Sequence, residues 1–173
     1  MAHIDDWGSP TTFPHFAIGW AWAGNTPFQW TKQVASHFGG TRNGMVVHWP
    51  KGIKSKGEIR SQFYHVIDVA PTILESANIP QPKRVNGSEQ KPMDGVSMMA
   101  SFANAKAPEN HLVQYFDVFG NRGIYANGWM AATLHNVPWL QAQKLPPLED
   151  DVWELYNLND DFTQAVNLAA SNP

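Results

Sequence analysis

The sequence predicts an α/β fold that gives way to a small antiparallel sheet (α+β) in its last third, and three observations carry that expectation. Met45 to Trp49, in MVVHWPKG, is a short apolar run bounded by Gly44 and Pro50, the pattern of a strand buried on both faces of a sheet. Val66, Val69, Ala70, Ile73, Leu74 and Ala77 recur at helical spacing. Beyond residues 103–111, ANAKAPENH, the period changes to the short aromatic or β-branched runs QYFDVF, GIYA, WMAATLH and WELYNL, with Asn127-Gly128 as the strongest hairpin signal.

Taken in order, residues 1–25 mix glycine, proline and aromatics without a sustained period and read as an extended aromatic-rich loop that packs against something outside this chain. Thr26-Pro27 is a helix-start signal, so Phe28 to Phe38 reads as a short helix, or, because Phe28, Trp30 and Lys32 alternate, as a strand or extended turn; Gly39-Gly40 stops either. PKGIKSKGEIR is a polar surface turn. Asp68 can cap the following helix, which keeps Pro71 in its first turn and ends near Asn78. Residues 80–95 read as loop, and Ser97 caps a short amphipathic turn through Met98, Met99 and Phe102. The small, polar stretch 103–111 is the weakest internal boundary. The closing DDFTQAVNLAASNP reads as the start of a helix or a surface arm.

Composition narrows the function classes. The 173 residues suffice for one ordinary core, or for one domain and part of another. A net charge of −3 gives no electrostatic footprint for nucleic acid or an anionic membrane, and no run approaches the about 18 apolar residues of a membrane span. With no cysteine there is no disulfide, thiolate metal site or thiol nucleophile, while the compartment stays open. The 8 tryptophans belong to a core, an interface or a cleft.

Catalytic spacings are mostly missing: there is no G-x-S-x-G elbow, H-E-x-x-H, phosphate-cradling loop or dinucleotide fingerprint. Asp5-Asp6 and Glu149-Asp150-Asp151 read as solvated acidic turns rather than cation sites. His65, before the helix, and His48, in the apolar run, read as structural histidines. Lys32 stands among large aromatics, where partial desolvation would strengthen its hold on a sulfate or phosphate oxygen, although spacing alone favours a surface or snorkelling lysine.

The run GWAWAGNTPFQWTKQVASHFGGTRNGMVVHWPKGIKSKGEIRSQFYHVIDVAPTILESANIPQPKRVNGSEQKPMDGVSM, continued by QYFDVFGNRGIYANGWMAATLHNVPW and DDVWELYNLNDDFTQAVNLA, resembles the later part of arylsulfatases of the formylglycine-dependent sulfatase family. The resemblance implies an alkaline-phosphatase-like architecture. Residues 1–105 would then be the terminal portion of a mixed-sheet sandwich, and residues 106–173 a small antiparallel-sheet subdomain, incomplete at its end. It implies hydrolysis of a sulfate ester by a formylglycine hydrate made from a C/S-x-P-x-R motif, with calcium and basic side chains holding the sulfate oxygens.

Lys32 matches the family lysine of the T-P-x-x-x-x-K segment, which contacts the substrate sulfate near the leaving-group oxygen. Gly39, Gly40 and Arg42 match an E-G-G-x-R segment in which Phe38 stands where glutamate is usual, and read as scaffold for Lys32. The chain contains no S-x-P-x-R or cysteine and lacks the metal-binding aspartates. It is therefore expected to be a sulfatase fragment, inactive alone, holding neither calcium nor formylglycine and contributing one substrate contact. Its expected partners are a sulfate ester and the N-terminal sulfatase region, with self-association of the fragment. The alternatives are a non-catalytic carbohydrate- or protein-binding module derived from a sulfatase, or a fragment of a related phosphate or phosphonate ester hydrolase.

Overall fold

A computed structural model describes residues 3–12, 16–140 and 144–172. The helices are α1 (Ile18–Asn25), α2 (Phe38–Thr41), α3 (Val69–Ser76) and α4 (Met99–Ala103). The strands are β1 (Arg84–Val85), β2 (Ser88–Glu89), β3 (Val113–Val118), β4 (Asn121–Ala126), β5 (Trp129–Thr133) and β6 (Glu154–Asn157). β1 and β2 form a hairpin of their own, and β3-β4-β5-β6 is a four-stranded antiparallel sheet in sequence order.

That sheet is the meander the sequence predicts. Asn127 (φ 49°) and Gly128 (φ 84°) turn β4 into β5 with both central residues in the left-handed region, as a tight two-residue hairpin requires. Phe119 (φ 56°) and Gly120 (φ 82°) turn β3 into β4 in the same way. Along β4, Asn121, Gly123 and Tyr125 are buried while Ile124 is exposed, so the period of two sets one inward face.

The chain forms two compact units, one of residues 1–42, 116–123 and 130–173, the other of residues 43–115 and 124–129. In the first, Val34, Ala35, Phe38, Met130, Ala132 and Tyr156 are buried beside the polar Ser36, His37, Asn121, Thr133 and Gln164. In the second, the few buried apolar residues, Met98, Ala107 and Tyr125, are accompanied by Asp68, Thr72, Ser101 and His111.

Asp68 organises the second unit. A short 3₁₀ turn, Val66–Asp68, leads into α3, and the Asp68 carboxylate accepts from the main-chain N–H of His65 at 2.8 Å, closing the turn from its C-terminal side rather than capping α3. The same carboxylate accepts from Val96 N–H at 2.8 Å and lies 2.8 Å from His111 Nδ1. Its main-chain carbonyl takes the Thr72 hydroxyl at 2.6 Å, and Thr72 in turn accepts from Met98 N–H at 2.9 Å. Gly95 packs so closely that a Cβ would lie 2.2 Å from Ile67 O. Downstream, Ser97 accepts from Met99 N–H at 3.2 Å and starts α4 as its spacing predicts.

Other expectations are corrected. Met45–Trp49 is not a strand: no described strand lies alongside to pair its backbone groups, and Val46 is 95 % exposed. Residues 18–25 form α1 rather than extended loop, with no buried residue, and Thr26 closes that helix instead of opening the next. Residues 80–95 are not all loop, because Asn86 (φ 49°) and Gly87 (φ 83°) fold β1 onto β2 with Arg84 opposite Glu89. Asp151 is not solvated: its side chain is 1 % exposed, paired with Arg122 at 2.5 Å and His135 at 2.9 Å. Burial opposes its ionisation, yet His135 and Arg122 together hold its pKa below the usual aspartate value.

Replacing Asp68 by alanine removes the acceptor of two part-buried main-chain N–H groups, those of His65 and Val96, and the partner of the buried His111 ring. A buried group left without its partner costs about 1–3 kcal/mol and a part-buried one less, so the variant is expected to lose at least about 1 kcal/mol in denaturant unfolding monitored by circular dichroism.

Candidate functional site

Lys32 sits on a tight loop, not on the helix or strand its neighbours allow. Trp30 (φ 63°) and Gln33 (φ 79°) are both left-handed, a conformation unfavourable for side chains with a Cβ, and two such residues within four break either regular element. Lys32 itself is exposed and makes no hydrogen bond or ion pair with another described residue. Beyond Gln33 the chain turns inward: Val34, Ala35, Ser36, His37 and Phe38 are buried and form a continuous floor.

Gly39 and Gly40 clamp the loop by close approach. A Cβ at Gly39 would stand 2.0 Å from Trp30 O, and one at Gly40 2.0 Å from Val34 O. Only hydrogen fits there. Gly39 N–H donates to Gln29 O at 2.8 Å, tying α2 to the start of the loop. Arg42 lies against the rings of Phe28, Phe38 and Phe162 at 5.2, 5.1 and 5.6 Å and donates to Phe162 O at 3.0 Å. Burial lowers its pKa from the ordinary arginine value, and three aromatic rings surround its guanidinium.

Five further residues, Gln164, His37, Glu154, Tyr156 and Asn121, hold the loop, and nothing in their spacing singled them out. Gln164, fully buried and left-handed (φ 61°), accepts from Phe38 N–H at 2.7 Å through its side chain, while its main-chain oxygen accepts from the Gln29 amide. The segment expected to be a surface arm is thus a clamp. His37 bridges Ser36 Oγ at 2.9 Å and Glu154 Oε2 at 2.8 Å, and Tyr156 donates to the same carboxylate oxygen at 2.8 Å. Burial pushes the His37 pKa below its ordinary value, against the raising influence of Glu154; burial, then Glu154, pushes Tyr156 upward. Asn121 of β4 donates to Gln33 O at 3.2 Å and accepts from His135 N–H at 3.0 Å and Asn136 N–H at 2.9 Å.

The remaining candidates do not join Lys32. His65 accepts from Ile67 N–H at 3.4 Å at the turn before α3, Asp6 pairs with His3 at 3.0 Å, and His48 is exposed. Among the described residues no three His, Asp or Glu side chains converge to hold a metal ion. Among them, too, no helix is long and apolar enough to cross a membrane. Chemically, the site offers an exposed ammonium, without a partner among the described residues, on a braced loop where it can meet an anion.

A family model described as N-sulphoglucosamine sulphohydrolase, C-terminal, matches residues 29–132. The chain is 27 % identical to an uncharacterized sulfatase of Schizosaccharomyces pombe over 98 % of its own length and 29 % of that protein's. It is 32 % identical to an arylsulfatase of Klebsiella aerogenes over 56 % of its own length and 20 % of that protein's. A solved structure from work on glycosaminoglycan metabolism in Bacteroides thetaiotaomicron superposes with a TM-score of 0.57 at 17 % identity, over 81 % of this chain and 28 % of the other, and shares its fold. The chain belongs to the sulfatase family and corresponds to its C-terminal region. It spans less than a third of the length of the curated relatives it matches.

This geometry has two measurable outcomes. Gly39→Ala drives a methyl into a main-chain carbonyl and is expected to lower the melting temperature of the chain, with an alanine at solvent-open Gly44 as the neutral control. The folded chain resists protonating His37, whose ordinary pKa is 6.5, whereas the unfolded chain does not. The unfolded state therefore binds more protons below about pH 6.5, and stability is lost as pH falls through that value. Melting temperatures from pH 7.5 to 5.5 should decline, and less steeply in His37→Gln; His65, whose pKa is also lowered chiefly by burial, contributes the remaining slope with the same sign.

Proposed function

We propose that this chain is the C-terminal part of a sulfuric ester hydrolase of the arylsulfatase kind, and that Lys32 contacts the substrate sulfate near the leaving-group oxygen. The observation that carries the reading is the conjunction at Lys32: an ammonium without a partner among the described residues, on a loop braced by Gly39, Gly40 and Arg42, inside the family-matched span. As the ester bond breaks, negative charge grows on the departing oxygen, and a cation already in place stabilises it without reorganising.

In this reading residues 1–105 complete a larger α/β domain, of alkaline-phosphatase-like mixed-sheet form, and residues 106–173 form the small sheet. Val46, Ile59 and Val66 are 95 %, 85 % and 75 % exposed, which suits surfaces that the N-terminal sulfatase region covers. In the same reading, calcium and the formylglycine nucleophile are contributed by that other region.

In the product of the full reading frame, Lys32→Ala is expected to lower kcat/KM for an aryl sulfate about 10²–10³-fold. The frame should encode a C/S-x-P-x-R motif upstream. An unchanged kcat/KM, or saturable turnover by the isolated chain, contradicts the proposal. Faster turnover of an aryl phosphate than of the sulfate favours the related phosphate or phosphonate ester hydrolase. The isolated chain is expected to self-associate in sedimentation velocity, whereas a sharply melting monomer counts against the fragment reading. A binding-module reading draws on Trp7 and Trp20, both largely exposed. Tryptophan quenching by unsulfated glycans as strong as by sulfated ones would favour it.

A further inference from the structure

The small sheet does more than lie beside the Lys32 loop: its second strand is the seat on which the loop is set. Asn121 and Gly123 are two residues apart on β4 and therefore face the same side of the sheet. Both are buried, and both meet the segment that succeeds Lys32. Asn121 Nδ2 donates to Gln33 O at 3.2 Å, the carbonyl one residue beyond Lys32. At Gly123 a Cβ would approach Ser36 Cα and Ser36 O to 3.3 Å and Met130 Cε to 2.6 Å, so the absence of a side chain there lets the backbone of Ser36 lie flush on the strand.

Gln33 is the residue whose backbone most needs outside help. Its φ of 79° is unfavourable for any residue with a Cβ, and such a conformation persists where surrounding contacts over-determine it. The Asn121 amide supplies one such contact. Its other end is occupied by structural work, since Oδ1 accepts from His135 and Asn136 N–H at 3.0 and 2.9 Å. The two ends of one side chain thus have separable tasks: the oxygen fixes the segment after β5, and the nitrogen fixes the turn that presents Lys32.

We propose that Asn121 is a positioning residue for Lys32, acting through the Gln33 carbonyl, so that the C-terminal sheet sets where the sulfate-contacting ammonium stands. The proposal rests on the assignment of Lys32 to the substrate sulfate. A displacement on the scale of 1 Å at a reacting centre is worth up to about 10²-fold in rate.

Asn121→Asp tests it, because aspartate keeps an oxygen for the His135 and Asn136 amides but turns the donor facing Gln33 O into a second acceptor. In the product of the full reading frame, Asn121→Asp is expected to lower kcat for an aryl sulfate about 10–100-fold with KM within about 3-fold. In a Lys32→Ala background the same substitution should change kcat/KM by less than about 3-fold, because the group it positions is gone. Should the aspartate variant not fold, Asn121→Ser, uncharged and too short to reach Gln33 O, carries the same comparison. Equal losses from Asn121→Asp in both backgrounds, or no loss in either, overturn the positioning role while the Lys32 assignment stands. An unchanged kcat/KM in Lys32→Ala overturns that assignment, and the positioning role falls with it.

Discussion

The arrangement of the first unit depends on one constraint: a backbone loop that is unfavourable by itself must be held by buried polar groups. Trp30 and Gln33 adopt left-handed conformations within the same turn. Three side chains from distant parts of the sequence hold the surrounding segment, Asn121 from the start of β4, Glu154 from β6 through His37, and Gln164 from beyond it. Each bond alone contributes about 1 kcal/mol net, but an unmade one in a buried site costs more, so the set is formed together or not at all. Glycine completes it by subtraction at positions 39, 40 and 123, where backbone or side chain comes too close for a methyl group.

This polar bracing compensates for a thin apolar core. Each unit buries only a few large apolar side chains, while Val46, Ile59 and Val152 lie almost bare. Directional bonds fix a loop to a strand without a large hydrophobic interior, and they fix it in one geometry rather than a family of similar packings.

The sheet was legible in the sequence because its information is local. Asn127-Gly128 dictates a hairpin whatever surrounds it, and strands of alternating burial flank it. The helix α3 was legible from the apolar spacing between Val66 and Ala77, although Ile73 stays exposed, so periodicity identified the element without showing what covers it. Met45–Trp49 misled for the complementary reason: an apolar run becomes a strand only when another strand pairs with it. Around the site, Lys32, Gly39, Gly40 and Arg42 could be named from their order in the chain. Asn121, Glu154 and Gln164 could not, because their partners are 88, 117 and 126 residues away and polar residues at such separations leave no pattern. A polar residue inside an otherwise inward-facing strand position, as at Asn121, is the signal that would have drawn attention to it.

Membership of the sulfatase family and a braced Lys32 without a partner among the described residues support the proposal that this loop brings a cation to a sulfate oxygen. The most direct measurement is the position of Lys32 Nζ in a crystal structure of the product of the full reading frame with sulfate bound. The account predicts an Nζ to sulfate oxygen distance of about 2.7–2.9 Å, with the loop in the same left-handed conformation. A sulfate held entirely by other groups, with Nζ in solvent, would contradict it.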